Sequence, residues 1–379
     1  MIPSKTATTK KQRKKIALGM SGGVDSSVCA HLLVEQGYEV TGVYLECWKA
    51  PGCRSEEDRK DALEVALALN IPFQVLDFKH AYRDKVVQYF FDEYQAGRTP
   101  NPDVLCNKEI KFGLFYDWAL REGFDAVATG HYAAITTDAK SNQHQLAIPV
   151  DAHKDQTYFL YLLTATQLEH IHFPLGKYTK SQVRAEAKKR DLPVATKKDS
   201  VGICFIGDID VSAFLKDELG ENPGEVVDTQ GNVIGSHRGL WFYTVGQRHG
   251  FSIEKHTVIT QKDGSTMLKQ NFPPYYVIKK NAEKNQLVVG FGSDTETNEF
   301  TITDLHWIQN PPSSQQVFVR IRHTGQLLPA ELVITEDCAT IRLHTAVKGI
   351  AAGQSAVIYN SLNTDQINQT VCLGGGIIT

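Results

Sequence analysis

No apolar run in these 379 residues approaches the ~20 needed to span a bilayer, which excludes an integral membrane protein. No Cys-x-x-Cys pair occurs among the seven cysteines, which counts against a zinc ribbon or a four-cysteine cluster. The cysteine number is odd, and no apolar secretory segment stands at the start. Those features point to a reducing cytosol rather than a disulfide scaffold, and to a cytoplasmic protein. Net positive charge is lacking too: the balance is −3 and the pI about 6.5. A chain that worked by phosphate attraction alone would be more basic. Hydrophobic residues make up 42% and charged residues 22%, ordinary globular usage. At ~150 residues per domain, two or three domains are expected.

Basic charge is concentrated locally. Residues 1–15 hold six Lys or Arg and no acid, and read as a flexible tail. Residues 177–198 hold eight against Glu186 and Asp191. Between residues 16 and 207, strand-like and helix-like segments alternate. Strands are predicted at Ile16–Met20, Glu39–Leu45, Phe73–Phe78 and Ala126–Thr129. Helices are predicted at Val24–Gln36, from Ser55 (with Asp58, a capping-box pattern) to Leu69, over 81–94, over 107–121 and over 180–190. Strands separated by helices imply parallel βαβ units. Beyond about 205 the vocabulary is antiparallel: short alternating runs broken by Gly, Pro and Asn, Trp241–Val245 among them. A catalytic domain is therefore expected over 16–207, a central β-rich domain over 208–274 and a C-terminal β module over 275–379. Cys338 and Cys372 read as β-core residues.

The strand at 16–20 runs into Ser21-Gly22-Gly23-Val24-Asp25-Ser26-Ser27, followed by a helix. Two glycines let backbone approach an anion closely. Serine hydroxyls and the amides of a helix start can then bind phosphate oxygens. Asp25 could hold a metal on those phosphates or fix the loop. The Gly-Lys-Ser/Thr ending of the common P-loop is missing, so no loop lysine reaches the phosphates. A plain Ser/Gly turn is the structural alternative. The motif resembles the PP-loop of the ATP pyrophosphatase superfamily, whose members adenylate a carbonyl oxygen and release pyrophosphate.

Asn101-Pro102-Asp103-Val104-Leu105-Cys106-Asn107 places Cys106 near a helix N-terminus, which favours thiolate. Asp103, about one turn earlier, could handle a proton. A buried helical cysteine is the alternative. Cys204 sits between glycines in Gly202-Ile203-Cys204-Phe205-Ile206-Gly207, after the basic run. A core strand cysteine is the alternative there. Cys47 and Cys53 read as ordinary cysteines.

Taken in order, the stretches Gly19–Ser27, Arg98–Asn107, Thr129–Ala133, Lys154–Leu160, Gly202–Gly207 and Tyr243–Arg248 resemble the tRNA-specific 2-thiouridylase family of that superfamily. The resemblance implies an α/β fold: a parallel-sheet PP-loop domain, a small β-rich central domain and a C-terminal β-barrel. It implies sulfur replacement of the C2 oxygen of a wobble uridine. Gly19, Met20, Ser21, Gly22, Gly23, Val24, Asp25 and Ser26 would grip ATP, with Leu45 and Gly130 lining the site and Mg2+ bridging the phosphates. The base would lie against Asn101, Pro102 and Asp103. Cys106 would be the nucleophile, and Cys204 the persulfide carrier supplied by a relay that starts at a cysteine desulfurase. The two would close a disulfide. His131, Lys154, Asp155, Gln156, Arg322, His323 and Gln354 would contact tRNA. A monomer is implied, and no resident metal site. Leu45 stands where the family commonly has Met, and Arg322-His323-Thr324 where Arg-Tyr-Arg is common. Three rivals stay open: another PP-loop ligase or amidotransferase, a thiolase whose iron–sulfur cluster uses Cys106, Cys204 and Asp103, and a non-catalytic RNA-binding protein.

Overall fold

The computed structural model describes residues 13–48, 54–199, 210–254, 273–360 and 370–379, with backbone alone at 258–260 and 266–268. Cys53, Cys204 and the 1–12 tail lie outside the described residues. The first unit is built on a parallel sheet of β1 (Lys15–Gly19), β2 (Glu39–Glu46), β3 (Phe73–Asp77), β4 (Ala126–Ala128) and, beyond the β5 (Ala134–Thr137) and β6 (His144–Ala147) hairpin, β7 (Ile171–His172). Their spatial order is β3-β2-β1-β4-β7. Ile16, Ala17 and Leu18 of β1 are fully buried, as a central strand covered on both faces requires. Helix α1 (Val24–Glu35) buries Val28, Cys29, Leu32 and Leu33 and stops before Gly37, at φ +86°. Chain order reverses at β1: the path leaves towards β2 and β3, then returns to β4. The crevice beyond the carboxyl ends of β1 and β4 is therefore where an open α/β sheet binds ligands.

Helix α2 (Ser55–Ala68) starts at Ser55 itself. Arg54 holds the cap position and no side chain caps the helix, so the expected capping box does not form. The expected helix at 107–121 begins earlier, at Pro102, because proline suits a first helical turn.

The central unit has a sheet ordered β10-β9-β8-β14-β13: β8 (Gly224–Val227), β9 (Val233–His237), β10 (Ser252–Ile253), β13 (Tyr276–Asn281) and β14 (Gln286–Gly290). A small ribbon of β11 (Val258–Thr260) and β12 (Thr266–Leu268) lies between in sequence. A boundary at 275 is thus corrected. Strand β14 pairs with β8, and Val277, Leu287 and Val289 complete the core around Val226 and Ile234. Trp241–Val245 is not a strand, since Leu240–Phe242 forms a 3-10 turn.

The C-terminal unit is a closed six-stranded barrel, β15-β18-β17-β16-β19-β20, of β15 (Glu296–Trp307), β16 (Gln316–Arg320), β17 (Leu328–Ile334), β18 (Ala339–Lys348), β19 (Ser355–Tyr359) and β20 (Cys372–Ile378). Cys372 is buried there, as expected. Cys338 sits instead in the half-exposed β17–β18 turn beside Thr335. Barrel and first unit share one core, in which Val357, Tyr359 and Cys372 pack with Phe112 and Tyr158. Among the described residues no helix is long and apolar enough to cross a membrane.

Where the central unit meets the loop before Pro102, Lys280 Nζ donates to the carbonyls of Tyr243 at 3.0 Å and Arg98 at 3.4 Å. Burial pushes its pKa from the ordinary 10.5 down to about 8. Between those values the unfolded chain holds the extra proton, so stability rises with pH across that window. Lys280→Met is expected to raise the urea midpoint at neutral pH. The gain should shrink as pH climbs from 8 to 10.5, because the wild type sheds its buried charge there. A gain independent of pH would show that the ammonium is not desolvated.

Candidate active site

At the end of β1 the chain hugs the sheet for one more step, with Met20 N donating to Val43 O at 2.8 Å. It then turns through Gly22 at φ +70°. A Cβ on Gly22 would fall 2.1 Å from the Asp58 carbonyl oxygen, so this position admits only glycine. Ser21 N donates to Ser26 Oγ at 3.2 Å, and the Ser26 and Ser27 hydroxyls return to Gly23 O. Gly23 holds the cap position of α1 and no side chain caps the helix. The first amides of α1 and its dipole therefore face the crevice, which suits an anion. Gly130, after β4, packs so close that a Cβ would lie 2.9 Å from Ser26 N. Leu45, half-buried near the end of β2, packs with the same core as Leu76 and Phe78. The expected residues Gly19–Ser26 and Gly130 thus meet beyond the ends of β1 and β4, whereas Leu45 lies on the far side of β1, beside β3.

Asp25 is held from two directions. Lys180 Nζ lies 2.7 and 2.8 Å from its carboxylate oxygens, and Tyr132 Oη donates at 2.9 Å. Lys180 also pairs with Asp199 at 2.9 Å, and Arg184 pairs with Asp199. Helix Lys180–Lys189, within the basic run at 177–198, thus spends two of its four basic side chains internally. Lys180 turns inward to Asp25 of the loop and Arg184 to Asp199 and the Lys197 carbonyl, while Lys188 and Lys189 stay exposed. Lys197 Nζ donates to Gly22 O at 2.9 Å and pairs with Asp58 and Asp61, which clamps the outer side of the loop.

The helical run 102–121 carries the second group. It is α-helical over Pro102–Leu105, π-helical over Cys106–Leu114 and α-helical again over Phe115–Arg121. Gly113 permits the wide turn, since a Cβ there would meet Lys108 O at 2.8 Å. π-segments of this kind often mark functional sites. Asn101 stands at the cap position without a side-chain cap bond. Pro102 is buried and Asp103 half-buried. Asn107 Nδ2 donates to Asp103 O at 2.9 Å. Cys106 lies in the first turns of the helix, as expected, but the residue is 1% exposed, in an apolar cluster with Tyr82, Val86, Phe90 and Leu215.

Two residues expected at an RNA surface are buried instead. His131 is 7% exposed, with Nδ1 2.8 Å from Thr129 Oγ1 and Nε2 3.4 Å from Lys111 Nζ. Burial, with help from Lys111, holds its pKa well below the usual value, so the ring is neutral. Asp155 is 2% exposed and forms an ion pair with Arg320 of the barrel. Lys154 beside it is exposed, 3.7 Å from Asp199. Gln156 exchanges two bonds with Tyr132, each 2.9 Å. His323 stacks on Phe159, with ring centroids 4.3 Å apart. Gln354 Nε2 donates to Thr99 O at 2.9 Å and Pro100 O at 3.1 Å, tying the barrel to the Asn101–Asp103 loop. Arg322, Lys348, Thr99, Thr244 and Gln354 line a cleft of about 410 Å³ where the three units meet.

Lys111 goes unremarked in the sequence, whereas Lys180 and Lys197 stand in its basic run at 177–198. For Lys111 a signal exists: Asp103, Asn107 and Lys111 recur every four residues along the helix. That run does not show what Lys180 and Lys197 bind, because their partners lie 155 and 175 residues away.

Three family models match the chain: a tRNA methyl transferase HUP domain over 14–208, a tRNA methyl transferase PRC-barrel domain over 212–291 and an aminomethyltransferase beta-barrel domain over 297–378. A Nitrosomonas europaea protein named tRNA-specific 2-thiouridylase MnmA is 43% identical over 377 residues, 97% of this chain and 98% of its own length. The protein of that name from Pediococcus pentosaceus is 39% identical over 383 residues, 98% of this chain and 96% of its own. The solved NMN synthetase of Francisella tularensis is 22% identical with a TM-score of 0.33, over 55% of this chain and 73% of that one. With the phosphate loop, the glycine-only contacts and three matching units in order, this chain belongs to the tRNA-specific 2-thiouridylase (MnmA) family.

Proposed function

We propose that this protein replaces the C2 oxygen of the wobble uridine (U34) of tRNA with sulfur, at the expense of ATP. The observation that carries the reading is a bridge: one helix joins the Asn101–Asp103 loop to the phosphate loop, where Phe115 packs 3.6 Å from a Cβ placed on Gly19. A base at one end and a nucleotide at the other would share the crevice. The uracil C2 oxygen attacks the α-phosphorus of ATP, the α–β bond breaks and pyrophosphate leaves. Asp103 is the candidate acceptor of the proton the ring gives up. Terminal persulfide sulfur on Cys204 then adds to C2, and AMP departs with the oxygen. Cys106 thiolate attacks the Cys204 sulfur and breaks the S–S bond. That leaves the thiocarbonyl on the base and a Cys106–Cys204 disulfide, which an external thiol must reduce. Because Cys106 is buried, this last step requires the cluster around it to open.

Asp25 offers a hard oxygen donor inside the loop, the chemistry a magnesium ion on the phosphates needs; that ion would neutralise phosphate charge. The wobble base must leave its stack to reach the crevice, and the three-unit cleft beside Gln354 offers room for flanking nucleotides. Methyl transfer, the activity named in two of the family models, fits less well. A sulfonium donor is cationic, and the open end of α1 favours anions. The partners in this reading are a tRNA and a sulfur donor such as a cysteine desulfurase, acting on a cytoplasmic monomer.

The test supplies ATP, magnesium, a cysteine desulfurase with labelled cysteine, and matched tRNAs with uridine or cytidine at the wobble position. Label in the uridine tRNA alone, with pyrophosphate released by a colourless, iron-free protein, is the expected result. Labelling of both tRNAs, or activity that tracks bound iron, would overturn it.

A further inference from the structure

Buried polar groups without partners point to places where something else completes the set. One such atom lies on the helix that bridges the two halves of the crevice. Asn107 is 4% exposed, and its Oδ1 has no hydrogen-bond partner among the described residues. One turn on, Lys111 Nζ lies 3.4 Å from His131 Nε2. A lysine ammonium only donates, so Nε2 accepts and Nδ1 carries the ring proton to Thr129 Oγ1, 2.8 Å away. The Phe112 and Phe173 rings, with centroids 5.9 and 6.1 Å from that of His131, hold the imidazole in place.

Position decides what this lysine can meet. Asp103 and Phe115 are twelve residues apart on the bridging run, roughly 18 Å of helix, and Lys111 lies between them nearer the phosphate end. Phe115 faces Gly19, at the mouth of the phosphate loop, where an added Cβ would meet its ring at 3.6 Å. His131 directly follows Gly130, which abuts the first amides of α1. The Lys111 ammonium is thus anchored one residue from the loop that would hold ATP, on the same face as the residues that would hold the base.

We infer that Lys111 is the cation that meets the negative charge passing between the α-phosphate and the target carbonyl oxygen, and that His131 is the positioning residue that aims it. Asn107 lies one turn nearer the base and would receive a ring N–H or an ordered water through its Oδ1. The inference rests on the thiolation reading and gives His131 a role inside the protein rather than against tRNA. Its chemistry is electrostatic. Lys111 forms no bond; it stabilises the oxygen that gains charge as pyrophosphate leaves, and again as AMP leaves.

The test uses the full chain, ATP with magnesium, and a wobble-uridine tRNA, and reads single-turnover pyrophosphate release. Lys111→Met is expected to slow release by about 100-fold, with ATP and tRNA affinities held within about threefold. Lys111→Ala should recover part of its rate in ethylammonium, and Lys111→Arg should keep more rate than Lys111→Met. His131→Asn should lose about tenfold in kcat at unchanged KM and gain nothing from ethylammonium, since its own lysine is present but misaimed. Melting temperatures near wild type would confirm that each variant folds. Release by Lys111→Met at the wild-type rate, or parallel losses in ATP affinity and rate, would overturn the inference. Should the wild type itself release no pyrophosphate with this tRNA, the thiolation reading would fall first and this one with it.

Discussion

Gly22→Ala should slow ATP-dependent pyrophosphate release by about 100-fold. Two independent penalties act at that position. The backbone sits at φ +70°, a conformation that costs an L-residue roughly 1–2 kcal/mol. The added methyl would also lie 2.1 Å from the Asp58 carbonyl oxygen and 2.9 Å from its Cα, backbone atoms of α2 that cannot rotate away. The loop must therefore shift by an ångström or so, and misplacement on that scale costs about 100-fold in rate. Gly23→Ala is the matched control. Gly23 has an ordinary φ of −95°, and a Cβ there meets only the Ser21 hydroxyl at 3.3 Å. The measurements are ATP affinity by calorimetry and pyrophosphate release for both variants. Comparable behaviour of the two would mean that the loop is not held against α2.

Asp155→Ala carries the largest expected loss of stability, about 3–5 kcal/mol. Arg320 is 5% exposed, its guanidinium lies 5.2 Å from the Tyr359 ring centroid, and Asp155 is the carboxylate it pairs with. Removing that carboxylate strands a cation in the core shared by barrel and first unit. Asp155→Leu combined with Arg320→Met removes both charges and should recover most of the loss, because the pair's desolvation cost disappears with it. Urea unfolding of the single and double variants measures the coupling. A single-variant loss below about 1 kcal/mol would place the pair in water instead. The same substitution should loosen Lys154 and Gln156, since Asp155 anchors the segment through Thr157 N at 2.9 Å.

The parts of this protein that were legible share one property: their signals are local. Strand, glycine turn and helix succeed one another within twenty residues at the phosphate loop, and the structure keeps that order at nearly those positions. The proline before the second helix shows its start, although that start falls five residues earlier than helical periodicity suggests. Misreadings follow from distance. Trp241–Val245 has strand-like composition, yet no neighbouring strand takes up its edge. In β18, Ala339, Ile341 and Leu343 alternate with Thr340, Arg342 and His344, and closure of the barrel places the apolar set inside. The unit boundary at 275 failed because β14 crosses back to lie parallel to β8, a pairing no local pattern encodes.

The same division runs through the candidate site. Sequence alone showed the strand, glycine turn and helix of the loop, and an acid one turn before a cysteine near a helix start, because each depends on residues within one or two turns. Tertiary structure alone decided which charges are spent and which are presented. Lys180 crosses 155 residues to hold Asp25, and Arg320 crosses 165 to bury Asp155. His131 faces Lys111 rather than solvent. Neighbours in sequence thus part company: Lys154 stays in water while Asp155 does not, since a side chain's role depends on the dielectric and the partners that packing brings to it, and those arrive from elsewhere in the chain.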